Sequence, residues 1–201
     1  MGKVVAAITV SLDGYVTGPD DRPGQGLGIG GERLHYWVMG GPWTYDSEHE
    51  PGAGMSEADE AYYSQLTEGL GAGICGRGMY DAAGAWGGEN PFEGTLVVLT
   101  HRTEDQPDPA TGFLMVDGFD AALAAAREAA GDAGIAVGGG ADTIRQALAA
   151  GVVDEIGIST APVVLGGGKR LFEGVEQDLD LDILSVHPSA YAVHVRYAVR
   201  R

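Results

Sequence analysis

Two short runs of apolar, mostly β-branched residues limit what this chain can form. They are VVAAITV at residues 4–10 and TLVVLT at residues 95–100. Neither run alternates apolar with polar side chains, so each predicts a strand that is buried on both faces. Such strands occur almost only in parallel sheets that are covered by helices on both sides. The chain is therefore expected to fold as an α/β protein.

Helical and strand patterns alternate along the rest of the chain. Apolar residues recur at helical spacing over residues 55–70, 119–130 and 142–150, which predicts three helices. Further short strands are predicted at residues 73–75, 113–116, 135–137 and 155–162. This alternation predicts a three-layer α/β/α architecture around a mostly parallel central sheet.

The C-terminal end has a different pattern. In residues 191–199, Tyr and Val occupy the odd positions, whereas His194 and Arg196 lie at even ones. Strict alternation predicts an antiparallel strand with one face wetter than the other. Together with residues 183–186 and a turn at 187–190, it predicts a closing antiparallel hairpin.

Charge and composition exclude several classes of protein. The chain of 201 residues carries 12 Lys and Arg against 29 Asp and Glu, a net charge of −17, which argues against binding nucleic acid or an anionic membrane over a broad face. No apolar run approaches the roughly 20 residues of a membrane span, and the N-terminal residues do not resemble a signal peptide. A cytoplasmic protein is therefore expected. No linker divides the chain, so one domain is predicted, with an irregular aromatic insertion at residues 33–54.

No metal site or disulfide is expected. Cys75 is the single cysteine and has no neighbouring ligands at metal-binding spacing. His35 and His49 lie in the insertion without an HxH or HExxH spacing, so they are expected to be solvated.

The placement of glycine, at 34 of 201 residues, points to a ligand. Gly138, Gly139 and Gly140 stand between a predicted strand and a predicted helix. Glycine there lets a ligand approach the backbone, and the free N–H groups at a helix start favour a phosphate, to which Thr143 would add a hydroxyl. The GxGxxG dinucleotide fingerprint is absent, so a tight turn is the alternative interpretation.

Two other groups suited to phosphate follow neighbouring strands. Arg77 lies in the sequence GRGM at residues 76–79, and Thr100, His101 and Arg102 end the run at 95–100. Ligands of open parallel sheets bind outside the carboxyl ends of the strands, so these groups are expected at one edge. An ordinary surface arginine is the alternative for Arg77.

Five segments carry a resemblance to a known family. In chain order they are VAAI with SLDGYV within residues 5–16, GRGMYD at 76–81, VVLTHR at 97–102, VGGGADTIRQAL at 137–148 and DEIGISTAPVVLGGGKRLF at 154–172. Together they resemble the dihydrofolate reductase-like superfamily, in the branch related to the C-terminal reductase domain of bacterial riboflavin biosynthesis. The resemblance covers nearly the whole chain except the insertion.

The resemblance implies a dihydrofolate reductase-like fold that binds NADPH across the carboxyl ends of the strands. It implies that Ala7 lines the nicotinamide pocket and that the phosphates lie beside Gly76, Arg77 and Met79. The residues that it implies for the pyrophosphate are Gly138, Gly139, Gly140, Ala141, Asp142 and Thr143. The adenosine ribose and its 2′-phosphate would meet Thr100, His101 and Arg102. A cation at that last place favours NADPH over NADH, because the extra phosphate needs a countercharge.

Asp59 and Asp13 are the candidate catalytic acids. Folate reductases carry a carboxylate early in the helix before the GR motif, and by resemblance Asp59 lies near that place. Asp59 also follows Ser56 by three residues, where it would complete a capping box. Asp13 lies in the SLDG segment, where it would otherwise hold a turn through hydrogen bonds to the backbone. Both alternatives stay open for each residue.

The implied function is an NADPH-dependent reductase that transfers hydride to a small heterocyclic, pterin- or flavin-precursor-like substrate. The alternatives are 5-amino-6-(5-phosphoribosylamino)uracil reductase and a non-catalytic nucleotide-binding protein. Trp37, Trp43 and Tyr45 of the insertion either stack on a flat substrate or form local core. The resemblance also implies a homodimer, and the apolar hairpin offers an edge for it.

Overall fold

Eight strands form one sheet in the computed structural model, which describes residues 2–45, 54–176 and 178–200. The strands are β1 (Val4–Ser11), β2 (Leu70–Gly76), β3 (Thr95–Leu99), β4 (Phe113–Val116), β5 (Gly134–Val137), β6 (Glu155–Ala161), β7 (Leu181–Pro188) and β8 (Val193–Val199). Their order across the sheet is β4-β3-β2-β5-β1-β6-β8-β7. The strands β1 to β6 are parallel, and β8 runs antiparallel to both β6 and β7.

Helices cover both faces of this sheet. They are α1 (Tyr36–Met39), α2 (Glu57–Thr67), α3 (Arg77–Ala82), α4 (Phe119–Ala130) and α5 (Ala141–Ala149). The helices α4 and α5 pack on one face, whereas α2 packs on the other face against β7 and β8. The predicted three-layer α/β/α architecture, with a mostly parallel sheet and a C-terminal antiparallel hairpin, is confirmed. No helix of the described ranges has the length and apolar character needed to cross a bilayer.

The predicted elements differ from the structure mainly at their ends. The helix predicted at residues 55–70 stops at Thr67, because Glu68 leaves the helical conformation and Gly69 adopts a φ of +71°. Leu70 then begins β2, which is seven residues long and not three. The insertion also contains regular structure, a 3₁₀ turn at Gly31–His35 followed by α1. Its residues 46–53, which include His49, lie outside the described part of the chain.

The hairpin buries the face that its sequence marks as polar. His194 is completely buried beneath α2, whereas Val193, Ile183 and Val186 are exposed on the opposite face. This burial has a physical cause, because α2 supplies polar partners to the buried face. Its Gln65 lies 3.2 Å from His187 across the packed face. The alternation therefore predicts the strand correctly, and the structure adds that the face with His194 is the buried one.

Candidate functional site

The three phosphate-binding groups predicted from the sequence lie side by side. The strands β3, β2 and β5 are adjacent and parallel, with Gly76 opposite Leu99 and Ile74 opposite Val137. Their carboxyl ends therefore meet at one place. We call this place the strand-end edge, defined as residues 76–79, 100–102 and 138–143.

The two glycine loops of the strand-end edge pack directly against each other. The Gly76 N–H donates to the Gly139 carbonyl at 3.1 Å. A Cβ atom at Gly76 would lie 2.6 Å from Thr143 Oγ1, and one at Gly139 would lie 1.9 Å from Met79 Sδ. A side chain at Gly76 or Gly139 would therefore displace Thr143 or Met79.

Gly138 and Gly140 differ from these two glycines. A Cβ atom at either position would meet no atom within 4 Å. Gly140 has a φ of +76° and precedes α5, and no side chain among the described residues caps that helix. The first N–H groups of α5 therefore face open space, where the helix dipole favours an anion.

The carboxylate of Asp142, near the start of α5, contacts side chains further along the helix. Asp142 accepts a hydrogen bond from Gln146 Nε2 at 2.8 Å and lies 3.7 Å from Arg145 Nη2, so its carboxylate is directed along the helix. Thr143 is buried against Gly76, and Ala141 is buried as well.

A strip of small residues lies on the α2 face of the central strands. Ala136 pairs with Val5 on one side and with Gly73 on the other, and Ala7 lies two residues after Val5 on the same face. Ala7 and Ala136 are only partly buried although β1 and β5 are central strands. Ala7 packs against the apolar cluster of Trp37, Tyr62 and Leu66, so the strip is covered in part and partly exposed.

The cations of the strand-end edge are already paired with carboxylates. Arg77 Nε lies 2.7 Å from Asp81 Oδ1, and its Nη1 lies 2.7 Å from Asp105 Oδ2. The Asp81 hydrogen bond raises the pKa of Arg77. Arg102 Nη2 lies 3.1 Å from Asp81 Oδ2. Arg77 is thus part of an ion-pair network and not an isolated surface arginine.

His101 and Thr100 also have partners within the protein. His101 Nδ1 lies 2.6 Å from Asp117 Oδ1 on the surface. The Thr100 hydroxyl accepts a hydrogen bond from the Arg102 N–H at 3.1 Å, which fixes the turn that follows β3. Sequence reasoning identified these cations but missed Asp81, Asp105 and Asp117.

Asp13 connects two loops through its carboxylate. Its Oδ1 accepts from Ser11 Oγ at 2.7 Å and from the Leu165 N–H at 3.1 Å, and its Oδ2 accepts from the Gly166 N–H at 2.8 Å. The Ser11 hydrogen bond is the main cause that lowers the pKa of Asp13 to about 2. The carboxyl group is ionised at neutral pH and has no proton to donate. The geometry favours the turn-residue alternative.

Asp59 is the buried centre of a helix cap. Its Oδ2 accepts from Ser56 Oγ at 2.6 Å and from the Ser56 N–H at 3.2 Å, while the Asp59 N–H donates to Ser56 Oγ, which completes the capping box. Its Oδ1 lies 2.7 Å from His194 Nε2. Burial alone would raise the pKa of Asp59, but the hydrogen bonds from Ser56 and His194 outweigh it and lower the pKa. The geometry again favours the structural alternative.

His194 extends this arrangement into a buried polar cluster, defined as Asp59, Tyr62, Ser159 and His194. His194 Nδ1 lies 2.7 Å from Ser159 Oγ, and the ring stacks on Tyr62 at 4.3 Å between centroids. With Asp59 ionised, His194 Nε2 carries the hydrogen and Nδ1 accepts from the Ser159 hydroxyl. Sequence reasoning missed this cluster, because its members come from one helix and two distant strands.

Trp37 closes the buried polar cluster and belongs to the core. Its ring packs edge-on against His194 at 4.8 Å, and its Nε1–H donates to Thr9 Oγ1 at 3.0 Å. The local-core alternative therefore holds for Trp37. Tyr45 accepts from the Leu27 N–H at 2.7 Å and packs edge-on against Trp43, and it lines a surface cavity with Arg22 and Glu32.

The histidine expectation needs one correction. Burial lowers the pKa of His35 to about 4, so His35 is a neutral, partly buried side chain and not a solvated one. His49 lies outside the described residues. Within the described ranges, no group of three or more His, Cys, Asp or Glu residues is arranged to hold a metal ion.

Comparison with known proteins gives both a family and a fold. The family model for the RibD C-terminal domain matches residues 2–195. No curated protein matches the chain. Among solved structures, a candidate riboflavin biosynthesis protein from Shewanella sp. PV-4 is 20% identical over 99% of both chains, with a TM-score of 0.68.

Two further solved structures are similar over the whole chain. Dihydrofolate reductase from Enterococcus faecalis, complexed with NADP(H) and RAB-propyl, is 15% identical, covers 100% of this chain and 98% of its own, and has a TM-score of 0.64. A pyrimidine reductase-like protein from Corynebacterium diphtheriae is 14% identical, covers 100% of this chain and 92% of its own, and has a TM-score of 0.64. The predicted dihydrofolate reductase-like fold is confirmed.

Proposed function

The chain belongs to the RibD C-terminal domain family, and on that premise we propose that it is a reductase that transfers hydride from NADPH to a small heterocycle. The substrate class that we propose is a pterin- or flavin-precursor-like ring. One observation carries the proposal: three adjacent strand ends bring open glycine backbone, an uncapped α5 start and arginine side chains to one edge.

The residues of the strand-end edge fit a dinucleotide. Gly138 and Gly140 leave room for phosphate oxygens near the backbone, and the first N–H groups of α5 are donors for them. Arg102 is the half-exposed cation at the end of β3. These features support binding of the diphosphate at α5 and of a charged adenosine ribose at Arg102.

In this proposal the partly exposed strip of Ala7 and Ala136 is the floor for the other half of the ligand. When bound, NADPH supplies the hydride. Ala7 and Ala136 are small and partly exposed, so a flat ring has room against the central strands. The residues of the chain would then orient the two reactants on this floor and reduce the access of water.

In this proposal neither candidate acid delivers the proton. Both Asp13 oxygens and both Asp59 oxygens already accept hydrogen bonds within the protein, and the pKa of each carboxyl is lowered. A donor must come within hydrogen-bond reach of the reacting atom and carry a proton. We therefore assign the proton to water that reaches the strip of Ala7 and Ala136.

Cofactor titration tests the proposal directly. NADPH and NADH are titrated by fluorescence at one salt concentration, with wild type and Gly138→Ala. We expect NADPH to bind more tightly than NADH and Gly138→Ala to weaken both, because a methyl group would fill the open space at the backbone. Absence of binding by either nucleotide would reject the reductase proposal.

Turnover separates the proposed function from its alternatives. Loss of the absorbance of the reduced nicotinamide is followed with dihydrofolate, with a reducible pterin and with the phosphoribosylaminopyrimidine substrate of riboflavin synthesis. We expect dihydrofolate to be at best a poor substrate. Efficient reduction of the phosphoribosylaminopyrimidine alone favours the uracil reductase, and tight NADPH binding without any turnover favours a non-catalytic nucleotide-binding protein.

The exposed face of the hairpin supports a homodimer, which we also propose. Ile183, Leu184 and Val186 of the edge strand β7 are exposed, as is Val193 of β8. A sheet edge with apolar side chains invites pairing. Sedimentation is expected to give twice the chain mass of 20.7 kDa, and Ile183→Asp is expected to shift it to the monomer. A monomeric wild type at micromolar concentration would reject this proposal.

A further inference from the structure

Asp81 joins two arginines that come from different strand ends. Its Oδ1 lies 2.7 Å from Arg77 Nε within α3, and its Oδ2 lies 3.1 Å from Arg102 Nη2 in the loop after β3. Asp105 lies 2.7 Å from Arg77 Nη1 and makes no ion pair with Arg102. The four side chains form one network in which Asp81 is the link between the two arginines.

The two arginines are held very differently. The Arg77 side chain is 19% exposed, has two short ion pairs and lies over the Tyr80 ring at 5.6 Å. The Arg102 side chain is 54% exposed, and its one ion pair among the described residues is the longer contact to Asp81. Arg102 can therefore turn towards a ligand at a low cost, whereas Arg77 is fixed in place.

The network as a whole carries no net charge. The two guanidinium groups are balanced by the carboxylates of Asp81 and Asp105. A phosphate dianion that approaches Arg102 meets this neutral network and must compete with Asp81 for the same N–H groups. A carboxylate and a phosphate both suit the guanidinium fork, so one replaces the other.

We propose that Asp81 is a specificity-determining residue for the cofactor, because its carboxylate competes with the 2′-phosphate of NADPH for Arg102. This inference rests on the proposed binding of NADPH at the strand-end edge. NADH has no 2′-phosphate and leaves the Arg102–Asp81 pair intact. Asp81 therefore lowers the affinity for NADPH and leaves the affinity for NADH unchanged.

Asp81→Asn and Asp105→Asn form a matched pair for the test. Both substitutions remove one carboxylate charge from Arg77, and only Asp81→Asn releases Arg102. The probes are NADPH, NADH and the fragments 2′,5′-ADP and 5′-AMP, which isolate the effect of the 2′-phosphate. Each variant is first checked for an unchanged thermal unfolding midpoint.

Asp81→Asn is expected to tighten NADPH and 2′,5′-ADP binding by about two- to fivefold, the range of an exposed ion pair, with no change for NADH or 5′-AMP. Asp105→Asn is expected to leave the NADPH-to-NADH ratio unchanged. In an Arg102→Ala background the preference for NADPH is lost, and Asp81→Asn then has no effect.

The outcomes separate this inference from the function on which it rests. Weaker or unchanged NADPH binding by Asp81→Asn, while Arg102→Ala still lowers affinity, overturns the competition by Asp81 alone. Equal gains from Asp81→Asn and Asp105→Asn overturn it too, since a general loss of negative charge then explains the effect. If wild type binds none of the four probes, the proposed cofactor site itself fails.

Discussion

Among the described residues, two aspartate–histidine pairs have nearly the same N···O distance and opposite surroundings. Asp117 and His101 are 2.6 Å apart at the strand-end edge, and the His101 side chain is 93% exposed. Asp59 and His194 are 2.7 Å apart beneath α2, and the His194 side chain is 0% exposed. The first pair lies in water and is easily exchanged for another partner. The second pair is shielded from water, so removing either member leaves the other buried without that partner.

This contrast applies to the two regions as a whole. The strand-end edge holds its ions at the surface, next to open glycine backbone, where a ligand has access to them. The buried polar cluster satisfies every member internally and is sealed by Trp37. Charged residues in similar geometry are therefore accessible to solvent in one region and enclosed by the protein in the other.

The largest expected effect is the loss of one partner from the buried pair. Asp59→Ala leaves His194 buried without its acceptor and removes the α2 cap, so the free energy of unfolding should fall by about 3–5 kcal/mol. Asp117→Ala in the exposed pair should cost less than about 1 kcal/mol. Denaturant unfolding measures both variants. Equal losses in the free energy of unfolding would contradict the contrast between the buried and the exposed pair.

Asp59→Asn sharpens the same point. The amide keeps the shape of the side chain and removes its charge. Loss of reductase activity at full cofactor affinity, in a variant that remains folded, would identify Asp59 as the proton donor after all.

The next effect concerns pH. Burial lowers the pKa of His35 from 6.5 to about 4, so the unfolded state takes up the proton first as the pH falls. The stability is present above pH 6.5 and is lost between pH 6.5 and about 4, by about 3 kcal/mol. Burial also lowers the pKa of His194, although Asp59 opposes the shift, so its contribution has the same sign.

Unfolding in denaturant at a series of pH values checks this expectation. His35→Asn should flatten most of the dependence, and His101→Asn in the exposed pair should leave the curve as in wild type. A free energy of unfolding that stays constant from neutral pH to pH 4 would contradict the buried assignment of His35.

Glycine substitutions separate packing from binding within the strand-end edge. Gly139→Ala places a methyl group 1.9 Å from Met79 Sδ, so it should cost about 1–3 kcal/mol of stability. Gly138→Ala meets no atom within 4 Å and should leave stability unchanged while it weakens NADPH binding. Thermal unfolding and cofactor titration of both variants measure the two effects. If Gly139→Ala weakened NADPH binding and Gly138→Ala lowered stability, the ligand would approach the backbone at Gly139 and not at Gly138.

The last prediction concerns Trp37→Phe. The substitution removes the hydrogen bond to Thr9 and should lower the free energy of unfolding by about 1 kcal/mol. Thr9→Val is the matched partner for a double-mutant cycle, in which the two losses should not add. The KM for the substrate should stay unchanged. A raised KM at unchanged stability would instead indicate that Trp37 contacts the substrate.

Local sequence patterns predicted the parallel part of the fold well. Helix α4 and strand β4 have the predicted bounds, because each contains a clear periodic or apolar pattern between glycines or polar residues. The three strand ends were also predicted to meet, since parallel topology alone brings them together. Local pattern and handedness rules suffice for these features.

The partners of the charged residues could not be predicted in this way. Asp59 and His194 are 135 positions apart, and Asp81 and Arg102 are 21 apart, on elements whose register no local pattern encodes. Which face of the hairpin is buried could not be predicted for the same reason. Its polar side chains are buried because Gln65 of α2 contacts His187 and Arg196. The sequence of the hairpin alone does not indicate that α2 packs there.

The position of β1 has a consequence for how the chain reaches its folded state. β1 precedes the other strands of the described residues, yet its two neighbours are β5 and β6, with Val4 opposite Ile135 and Val5 opposite Glu155. Neighbours so far along the chain give a high contact order and slow folding. β2, β3 and β4 can pair as soon as they leave the ribosome, whereas β1 finds its first partner when β5 is complete at residue 137 and its second when β6 is complete at residue 161. The nascent chain therefore exposes this apolar segment while β2, β3 and β4 are made, when unpaired strands favour aggregation.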